Sequence, residues 1–351
     1  MSPILVCMGN PLLDIQVTKG EDLLEKYELK ANDAILAEEK HMPIYDDIVK
    51  RNPVYVAGGA AQNACRGAAY VLPEKSAAYI GAVGDDDLAQ QLRAANDKEG
   101  VQSAYQVFKG QKTGACAVVI TGHDRSLTTT LQAAESFTPE HLATPEVEAL
   151  IEDAKFFYLG GFFLTHGIES ALVLAKKSAS AGKCFAMNLS APFIPQFFKA
   201  QVDQMIPFCD VVIGNESEAE AYAESHGLSS KEPAFVATAI ANAPKQNASR
   251  PRLVIITQGA SSTIVASSDP SVAATNLSAG DANPKTYPVN KLSDDQIVDT
   301  NGAGDAFAGG FLGALASGKN LDECVEAGHK LGQICVGQVG PQFKFPKVQI
   351  L

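Results

Sequence analysis

Apolar residues recur along the chain in two alternating patterns: short uninterrupted runs, and longer segments in which they return at helical spacing. The short runs are rich in β-branched and aromatic residues, which favours buried strands; they cover residues 4–8, 77–83, 156–160, 185–189, 211–214, 253–257 and 296–299. The segments between them predict helices over residues 86–98, 145–154, 169–181, 217–226 and 234–243, with a C-terminal pair at 303–317 and 321–339. This alternation predicts an α/β fold with a doubly wound, mostly parallel central sheet flanked by helices.

Two segments interrupt the alternation. The first, residues 15–56, combines short strands at 15–17 and 34–36 with a polar helix at 38–50. The second, residues 103–131, predicts antiparallel strands at 104–108, 115–121 and 127–131. We expect the two segments to form a small, discontinuous β-rich lid domain, while residues 1–14, 57–102 and 132–351 form a large nucleotide- and substrate-binding domain. A β-extension that serves as a dimer interface is the alternative.

The composition limits the classes of partner. With 351 residues, 46% of them hydrophobic, the chain is long enough for one large α/β domain and a smaller one. A formal net charge of −12 argues against nucleic acid or an anionic membrane as the main partner. No apolar run approaches the roughly 18–20 residues of a membrane span, and the N-terminus lacks the pattern of a signal peptide.

The seven cysteines are scattered and include no C-x-x-C pair. Most of them fall in apolar segments, as reduced core cysteines do. We therefore expect a reducing, cytoplasmic compartment, and an additional nuclear pool stays open.

The stretch at residues 299–307, Asp-Thr-Asn-Gly-Ala-Gly-Asp-Ala-Phe, links the last predicted strand to the helix that follows it. Gly302 and Gly304 therefore lie at a strand-to-helix turn, where unpaired backbone N–H groups and the helix dipole make an anion site. Asp305 falls in the first turn of the helix and reaches the same space. A carboxylate there is unfavourable unless it has a task, such as taking a proton from a hydroxyl that attacks a phosphate. A helix start with a glycine turn is the simpler alternative. A dinucleotide fingerprint is excluded, because Phe307 occupies the third glycine position.

Polar residues and glycines also follow the other predicted strands. In open parallel sheets, ligands bind at the carboxyl ends of the strands, so we expect these residues to lie together at one edge of the sheet. The early group offers a carboxylate, amides and close backbone approach, which suits a vicinal diol such as a ribose: Asn10, Asp14, Gly58, Gly59 and Asn63. The later group offers oxygens and amides, which suits Mg²⁺ and nucleotide phosphates: Asn188, Asn215, Glu218, Thr257 and Gly259. Phe163 offers a flat apolar surface for a base. A Walker-type loop is excluded, because the sequence has no G-x-x-x-x-G-K-S/T segment.

The stretch at 299–307 resembles the C-terminal signature of the ribokinase-like carbohydrate kinases. Gly58-Gly59 followed by Gln62-Asn63 is similar to the N-terminal signature of that family, and Asn215-x-x-Glu218 is similar to its magnesium and phosphate motif. Further stretches are most similar to the members that phosphorylate adenosine, and the resemblance covers essentially the whole chain. These stretches are residues 9–14, 32–37, 161–165, 188–193 and 327–329, with Arg125, Ser126 and Leu127 in the lid.

The resemblance implies an ATP- and Mg²⁺-dependent kinase of purine salvage, which transfers the γ-phosphate of ATP to the 5′-hydroxyl of adenosine and acts as a monomer. Asp305 would be the general base, with Gly302, Ala303 and Gly304 as the anion hole and Arg125 directed from the lid to the transferring phosphate. The implied substrate contacts are Asn10, Leu12, Asp14, Gly58, Gly59, Asn63, Leu127, Leu131, Phe163 and Asn301. The implied ATP contacts are Asn188, Asn215, Thr257, Gly259 and His329, and Asn215 and Glu218 would bind the metal through water.

Other interpretations of these residues stay open. A histidine such as His329 on an amphipathic helix is more often packed or capped than in contact with a nucleotide. Phe163 is explained equally well by a place in the core, and ordinary strand packing is the alternative for Leu127 and Leu131. A kinase for ribose, fructose or another sugar is the alternative within the class, although a free sugar has no large flat face for Phe163 and Leu127 to cover. A catalytically silent nucleoside-binding relative is the alternative from another class, although a pure binder gains nothing from Asp305 beside an anion site.

Overall fold

The computed structural model describes residues 2–31, 33–122, 124–269 and 284–351. The chain divides into two compact units. The first unit combines Met1–Gly9 with Thr138–Leu292, and the second combines Asn10–Phe137 with Ser293–Leu351. No helix in the described ranges is long and apolar enough to cross a bilayer.

The helices and strands follow each other along the chain much as the periodicity predicts. The strands are β1 (Leu5–Met8), β2 (Leu12–Thr18), β3 (Asp33–Leu36), β4 (Val54–Gly58), β5 (Ala77–Gly84), β6 (Val101–Phe108), β7 (Ala115–Thr121), β8 (Asp124–Thr130), β9 (Phe156–Gly160), β10 (Cys184–Asn188), β11 (Val211–Asn215), β12 (Leu253–Thr257), β13 (Thr263–Ser267) and β14 (Lys285–Tyr287). The helices are α1 (Glu21–Lys26), α2 (Ile44–Val49), α3 (Ala60–Val71), α4 (Asp87–Glu99), α5 (Pro145–Asp153), α6 (Ile168–Ser180), α7 (Phe193–Phe197), α8 (Lys199–Met205), α9 (Glu216–His226), α10 (Pro233–Ala241), α11 (Ala303–Ala316) and α12 (Leu321–Val336).

The first unit contains a mostly parallel sheet in the order β14-β13-β12-β11-β10-β9-β1. Strands β1, β9, β10, β11 and β12 pair in parallel, whereas β13 and β14 continue the sheet in antiparallel pairing. Helix α6 packs on β10, α9 packs on β11 and β12, and α10 packs on β12 and β13. The predicted mostly parallel sheet with flanking helices is confirmed in this unit.

The second unit contains a five-stranded mixed sheet in the order β3-β8-β7-β2-β4. Strand β2 pairs antiparallel with β4 and parallel with β7, and β8 pairs antiparallel with β7 and parallel with β3. Strands β5 and β6 pair in parallel with each other, and helices α3, α11 and α12 pack together. One face of the mixed sheet packs against α1 and α2 in a compact apolar cluster. Its strand residues are Ile15, Val17, Ala115, Ala117 and Val119.

Three predicted elements differ from the structure. The run at 104–108 belongs to β6, which pairs in parallel with β5, so its predicted antiparallel pairing with the runs at 115–121 and 127–131 is wrong. The predicted helix at 38–50 is divided at Pro43, which has no N–H to donate, into a 3-10 turn (Glu39–His41) and α2.

The predicted strand at 296–299 is also wrong. Residues Asp294–Gln296 form a 3-10 turn that Ser293 and Gln296 cap reciprocally. The amides of Val298 and Asp299 both donate to the carbonyl of Val336, at 2.9 and 3.1 Å. This segment therefore joins the end of α12 and approaches α11 without entering a sheet.

All seven cysteines are buried thiols, as their apolar surroundings predict. Burial raises the pKa of Cys335 to about 12, with smaller contributions from Asp305 and Asp299. The Cys335 thiol therefore stays protonated at neutral pH. Buried free cysteines of this kind pack as small apolar residues in the core.

Candidate active site

Helix α11 begins at the glycine turn that the sequence singles out. Gly302 has a φ of +78°, a conformation that glycine adopts at no steric cost, and a side chain there would collide with Pro341. The amide of Ala303 donates to Thr300 O at 3.2 Å, whereas the position of a Cβ on Gly304 faces open space. The start of α11 is therefore open beside Gly304, where helix N–H groups favour an anion.

Asp305 lies in the first turn of α11 and accepts a hydrogen bond from Asn63 Nδ2 at 2.9 Å. Burial raises the pKa of Asp305 to about 7, and the hydrogen bond from Asn63 opposes that rise. A carboxyl that titrates near neutral pH is suited to take up a proton and release it again. The geometry brings together Asn63 and Asp305, which the sequence could associate only through a family signature.

Asp14 lies in the interior of β2 and is 6% exposed. In β4 the partner of Asp14 is Val56, whereas Gly58 pairs with Leu12. The Asp14 carboxylate nevertheless leans over Gly58, and a Cβ at Gly58 would collide with it. Burial raises the pKa of Asp14 to about 7; the charge of Arg66 opposes this, and Asp305 and Asp299 add to it. Burial therefore raises the pKa of two carboxyl groups of this site, Asp14 and Asp305, towards neutral pH.

The turn between β4 and α3 completes the early group. Gly59 has a φ of +88° and packs so closely on the backbone carbonyl of Asn10 that a side chain there would collide with it. The predicted group Asn10, Asp14, Gly58, Gly59 and Asn63 is therefore brought together. Asn10 follows the parallel strand β1, as predicted. Asp14 and Gly58 lie on the mixed sheet and Asn63 lies on α3, however, so the expectation that all predicted site residues follow strands of one parallel sheet is wrong for these three.

Pairing in the mixed sheet determines which residues share a face. Gln16 of β2 pairs with Val118 of β7, which pairs with Leu127 of β8, and Ile120 of β7 pairs with Arg125. Because side chains alternate along strands, Asp14, Arg125 and Leu127 lie on the same face of this sheet. Leu131 follows β8 and packs in one cluster with Leu12 and Ala134, so two further predicted substrate contacts touch each other.

Arg125 has a partner that sequence reasoning missed. Its Nε lies 2.9 Å from Oδ1 of Asp299, whose side chain is 1% exposed. The Asp299 carboxylate also accepts from the amides of Asn301 and Gly340, at 2.9 and 2.7 Å. Asp299 belongs to the signature stretch at 299–307, but the sequence pattern gives it no role of its own. Only its position beside a positively charged lid residue indicates one.

The later group lies at the carboxyl ends of parallel strands in the first unit, as predicted. Asn188 ends β10, Asn215 ends β11, and Thr257 ends β12 in register with Asn215. Asn188 Oδ1 accepts from the amide of Ser190 at 2.8 Å, and Thr257 Oγ1 donates to Gly214 O at 3.3 Å. Gly259 follows β12 in the left-handed conformation, at a φ of +54°.

Asn215 and Glu218 form a reciprocal helix cap. Asn215 Oδ1 accepts from the amide of Glu218 at 2.9 Å, and Glu218 Oε2 accepts from the amide of Asn215 at 3.0 Å. Their spacing is therefore explained locally by the start of α9. Within the described ranges, no three His, Cys, Asp or Glu side chains are grouped so that they could hold a metal ion directly. A buried carboxylate beside amide oxygens does suit Mg²⁺ that keeps most of its water ligands.

Two ring side chains that the sequence predicts as ligand contacts, Phe163 and His329, pack against other rings in the structure. Phe163 is fully buried, with its ring centroid 4.9 Å from that of His166, and burial lowers the pKa of His166 to about 4. His329 lies on α12 with its ring centroid 5.6 Å from that of Phe307, and burial lowers its pKa as well. Contacts of Phe163 and His329 with a ligand stay predictions.

Comparisons with known proteins show which family the chain resembles. The model of the pfkB family carbohydrate kinases matches residues 21–348. The chain is 60% identical over 349 residues to an adenosine kinase of Schizophyllum commune, covering 99% of this chain and 98% of the relative. It is 46% identical over 350 residues to an adenosine kinase of Schizosaccharomyces pombe, with coverage of 99% and 98%.

Solved structures give the same result. The structure of Anopheles gambiae adenosine kinase in complex with P1,P4-di(adenosine-5) tetraphosphate matches with a TM-score of 0.88 at 43% identity, covering 96% of each chain. Schistosoma mansoni adenosine kinase in complex with adenosine matches with a TM-score of 0.89 at 36% identity, covering 98% of each chain. The fold class predicted from the sequence is confirmed by these matches.

Proposed function

The chain belongs to the pfkB family of carbohydrate kinases, and we propose that it transfers the γ-phosphate of ATP to the 5′-hydroxyl of adenosine, giving AMP and ADP. The relatives that are 60% and 46% identical over nearly the whole chain are adenosine kinases, which supports adenosine as the acceptor. The observation that carries the chemistry is Asp305 at the start of α11, with its carboxylate bound by Asn63 and its pKa raised to about 7.

Asp305 acts as the general base in this proposal. It takes the proton of the 5′-hydroxyl while the oxygen attacks the γ-phosphorus, and ADP leaves on the opposite side. The amides at Gly302, Ala303 and Gly304, together with the dipole of α11, stabilise charge on the transferring group. Arg125 leaves Asp299 and approaches the phosphate during turnover.

Asp14 binds the ribose hydroxyls, with Asn10, Gly58, Gly59 and Asn63 forming the wall around them. Its neighbours support this role, because Gly58 leaves room for the Asp14 carboxylate and Gly59 leaves room for the Asn10 carbonyl. Asp14 offers two acceptor oxygens for the hydroxyls. Leu12, Leu127 and Leu131 supply apolar surface for the adenine, and Asn301 adds a polar contact. Residues 15–56 and 103–131 act as the lid that carries Arg125 and Leu127.

Asn188, Asn215, Thr257, Gly259 and His329 serve ATP, and Glu218 with Asn215 orders the water shell of Mg²⁺. The metal, when bound, neutralises phosphate charge during transfer. The enzyme would act as a cytoplasmic monomer.

A coupled assay of ADP release tests the proposal with adenosine, inosine, ribose and fructose at equal concentrations. We expect efficient turnover of adenosine and a kcat/KM for ribose and fructose that is lower by at least about 100-fold, since the sugars leave the apolar surface empty. Comparable kcat/KM values for adenosine and ribose would identify a sugar kinase. Adenosine binding in calorimetry without ADP release would identify a silent nucleoside-binding relative.

A further inference from the structure

Arg66 is a buried cation one turn along α3 from Asn63. Its side chain is 2% exposed and forms a two-point ion pair with Glu99 at the end of α4: Nε lies 2.9 Å from Oε2 and Nη2 lies 2.8 Å from Oε1. The remaining nitrogen, Nη1, donates to Ala57 O at 2.7 Å and to Asn63 Oδ1 at 3.3 Å. The guanidinium therefore links the end of α4, the end of β4 and the residue that contacts Asp305.

The polarity of these contacts determines how the Asn63 amide is turned. A guanidinium donates hydrogen bonds and cannot accept them, so the amide of Asn63 must present its oxygen to Arg66. Its NH₂ group then points away from Arg66 and donates to Oδ2 of Asp305 at 2.9 Å. With the amide reversed, two donors would meet at Arg66 and two oxygens would meet at Asp305.

The rest of α3 restrains the backbone beneath this chain of contacts. Gln62 Nε2 donates to Gly58 O at 3.0 Å, and Gln62 Oε1 accepts from the Tyr105 hydroxyl and from Asn96. Arg66 and Gln62 thus bind the last two carbonyls of β4, at Ala57 and Gly58. The side chain of Asn63 has little freedom to move relative to the turn at Gly59.

We propose that Arg66 is a positioning residue for phosphoryl transfer, because it fixes the Asn63 amide in the orientation that donates to the Asp305 carboxylate. Glu99 in turn fixes the plane of the Arg66 guanidinium. The inference rests on the proposed function, since it assigns Arg66 to the general base of that reaction.

The expected consequence is a shift of the pH profile. Asn63 on α3 contacts Asp305, and the charged or titratable groups near it are Asp14 on β2, Cys335 on α12 and Asp299. Arg125 of β8 pairs with Asp299, and Arg66 is the cation that contacts Asn63. Donation by Asn63 favours the ionised carboxylate and opposes the effect of burial on the pKa of Asp305. Without Arg66 the amide can reverse, so the pKa of Asp305 rises and the rate reaches its plateau at higher pH.

The test is kcat against pH, from about pH 6 to about pH 9, for Arg66→Met/Glu99→Met with saturating adenosine and ATP. Replacing both partners keeps the net charge and leaves no unpaired carboxylate, and such replacements are often neutral for stability. We expect the acid limb of the profile to move up by about one pH unit, with KM for both substrates changed less than about twofold. Arg66→Lys retains a charged donor and should restore a limb close to that of the parent.

Arg93→Met is the matched control, because Arg93 is a half-exposed arginine of α4 that contacts Ser103 and Tyr105 rather than Asn63. Its acid limb should equal that of the parent. If the double variant does not fold, as judged by circular dichroism, Arg66→Leu/Glu99→Gln repeats the measurement with a polar group at position 99.

An unchanged acid limb in the folded double variant would overturn the role of Arg66. An equal shift of the acid limb in the double variant and in Arg66→Lys would also overturn it. The shift would then come from lost packing of the guanidinium and not from a lost hydrogen-bond donor to Asn63. A parent that fails to phosphorylate adenosine would instead reject the proposed function, so the two failures are distinguished.

Discussion

Replacing Asp305 by asparagine removes the proposed base while preserving the shape of the side chain. The new amide can offer Oδ1 to Asn63 Nδ2, which lies 2.9 Å from the present carboxylate, so the contact between α3 and α11 survives. The change also removes one negative charge from a region that contains Asp14 and Asp299. We therefore expect Asp305→Asn to fold normally, to bind adenosine with unchanged affinity, and to bind ATP at least as well as the parent.

The loss should appear in the chemical step. Removing a general base typically lowers kcat by ~10²–10⁴-fold, which corresponds to roughly 3–5 kcal/mol of activation free energy. The pKa of Asp305 near 7 adds a second signature: between about pH 6 and about pH 8 the ionised fraction in the parent rises about tenfold. Turnover by the parent should rise accordingly, whereas the residual turnover of Asp305→Asn should not follow this limb.

The assay is ADP release at several pH values, with adenosine and ATP affinities from calorimetry. A fall in kcat of less than about tenfold at pH 8 would refute the assignment of Asp305 as the base or show that proton removal is not rate-limiting. A collapse of adenosine binding would make Asp305 a substrate anchor instead.

The remaining predictions address the lid, the metal and the core. Arg125→Ala should lower kcat by at least about tenfold with little change in the calorimetric affinity for ATP, because Arg125 rests on Asp299 until the phosphate competes for it; an unchanged kcat would leave that ion pair a purely structural contact. Glu218→Gln should raise the Mg²⁺ concentration needed for half-maximal rate in a folded protein, and an identical Mg²⁺ dependence would return Glu218 to its role as a helix cap. Arg252→Met should lower the free energy of unfolding in urea by at least about 3 kcal/mol, because the buried guanidinium donates to several backbone carbonyls that would lose their partner. The half-exposed Arg250→Met is its control, with an expected loss below about 1 kcal/mol, and equal losses for the two variants would contradict this account.

The sequence by itself determined the local elements and the chemical types of the site. Periodicity placed most strands and helices, because burial of one helix or strand face leaves a direct pattern of apolar positions. The glycines at the start of α11 and before α3 were recognisable because a positive φ or a close backbone approach admits few other residues. The sequence likewise predicts Asp305, Asp14 and the amides at strand ends as site residues, because of their positions next to predicted strands and helices.

Only the tertiary structure decided which elements are partners. The run at 104–108 has the same apolar character whether β6 pairs with β5 or with β7, because alternation specifies the faces of a strand and not its neighbour. The run at 296–299 is apolar enough for a strand, yet its amides are taken by Val336 at the end of α12. Burial alone cannot distinguish these outcomes.

The same limit applies to the site. Asn63 and Asp305 are 242 positions apart in the chain, and Arg125 reaches Asp299 from another element altogether. A hydrogen bond or ion pair depends on distances of a few ångströms between side chains, and the sequence encodes these only through the packing of the whole unit. The types of residue at the site were therefore readable from the sequence, whereas the contacts that tune Asp305 and Arg125 were decided by the fold.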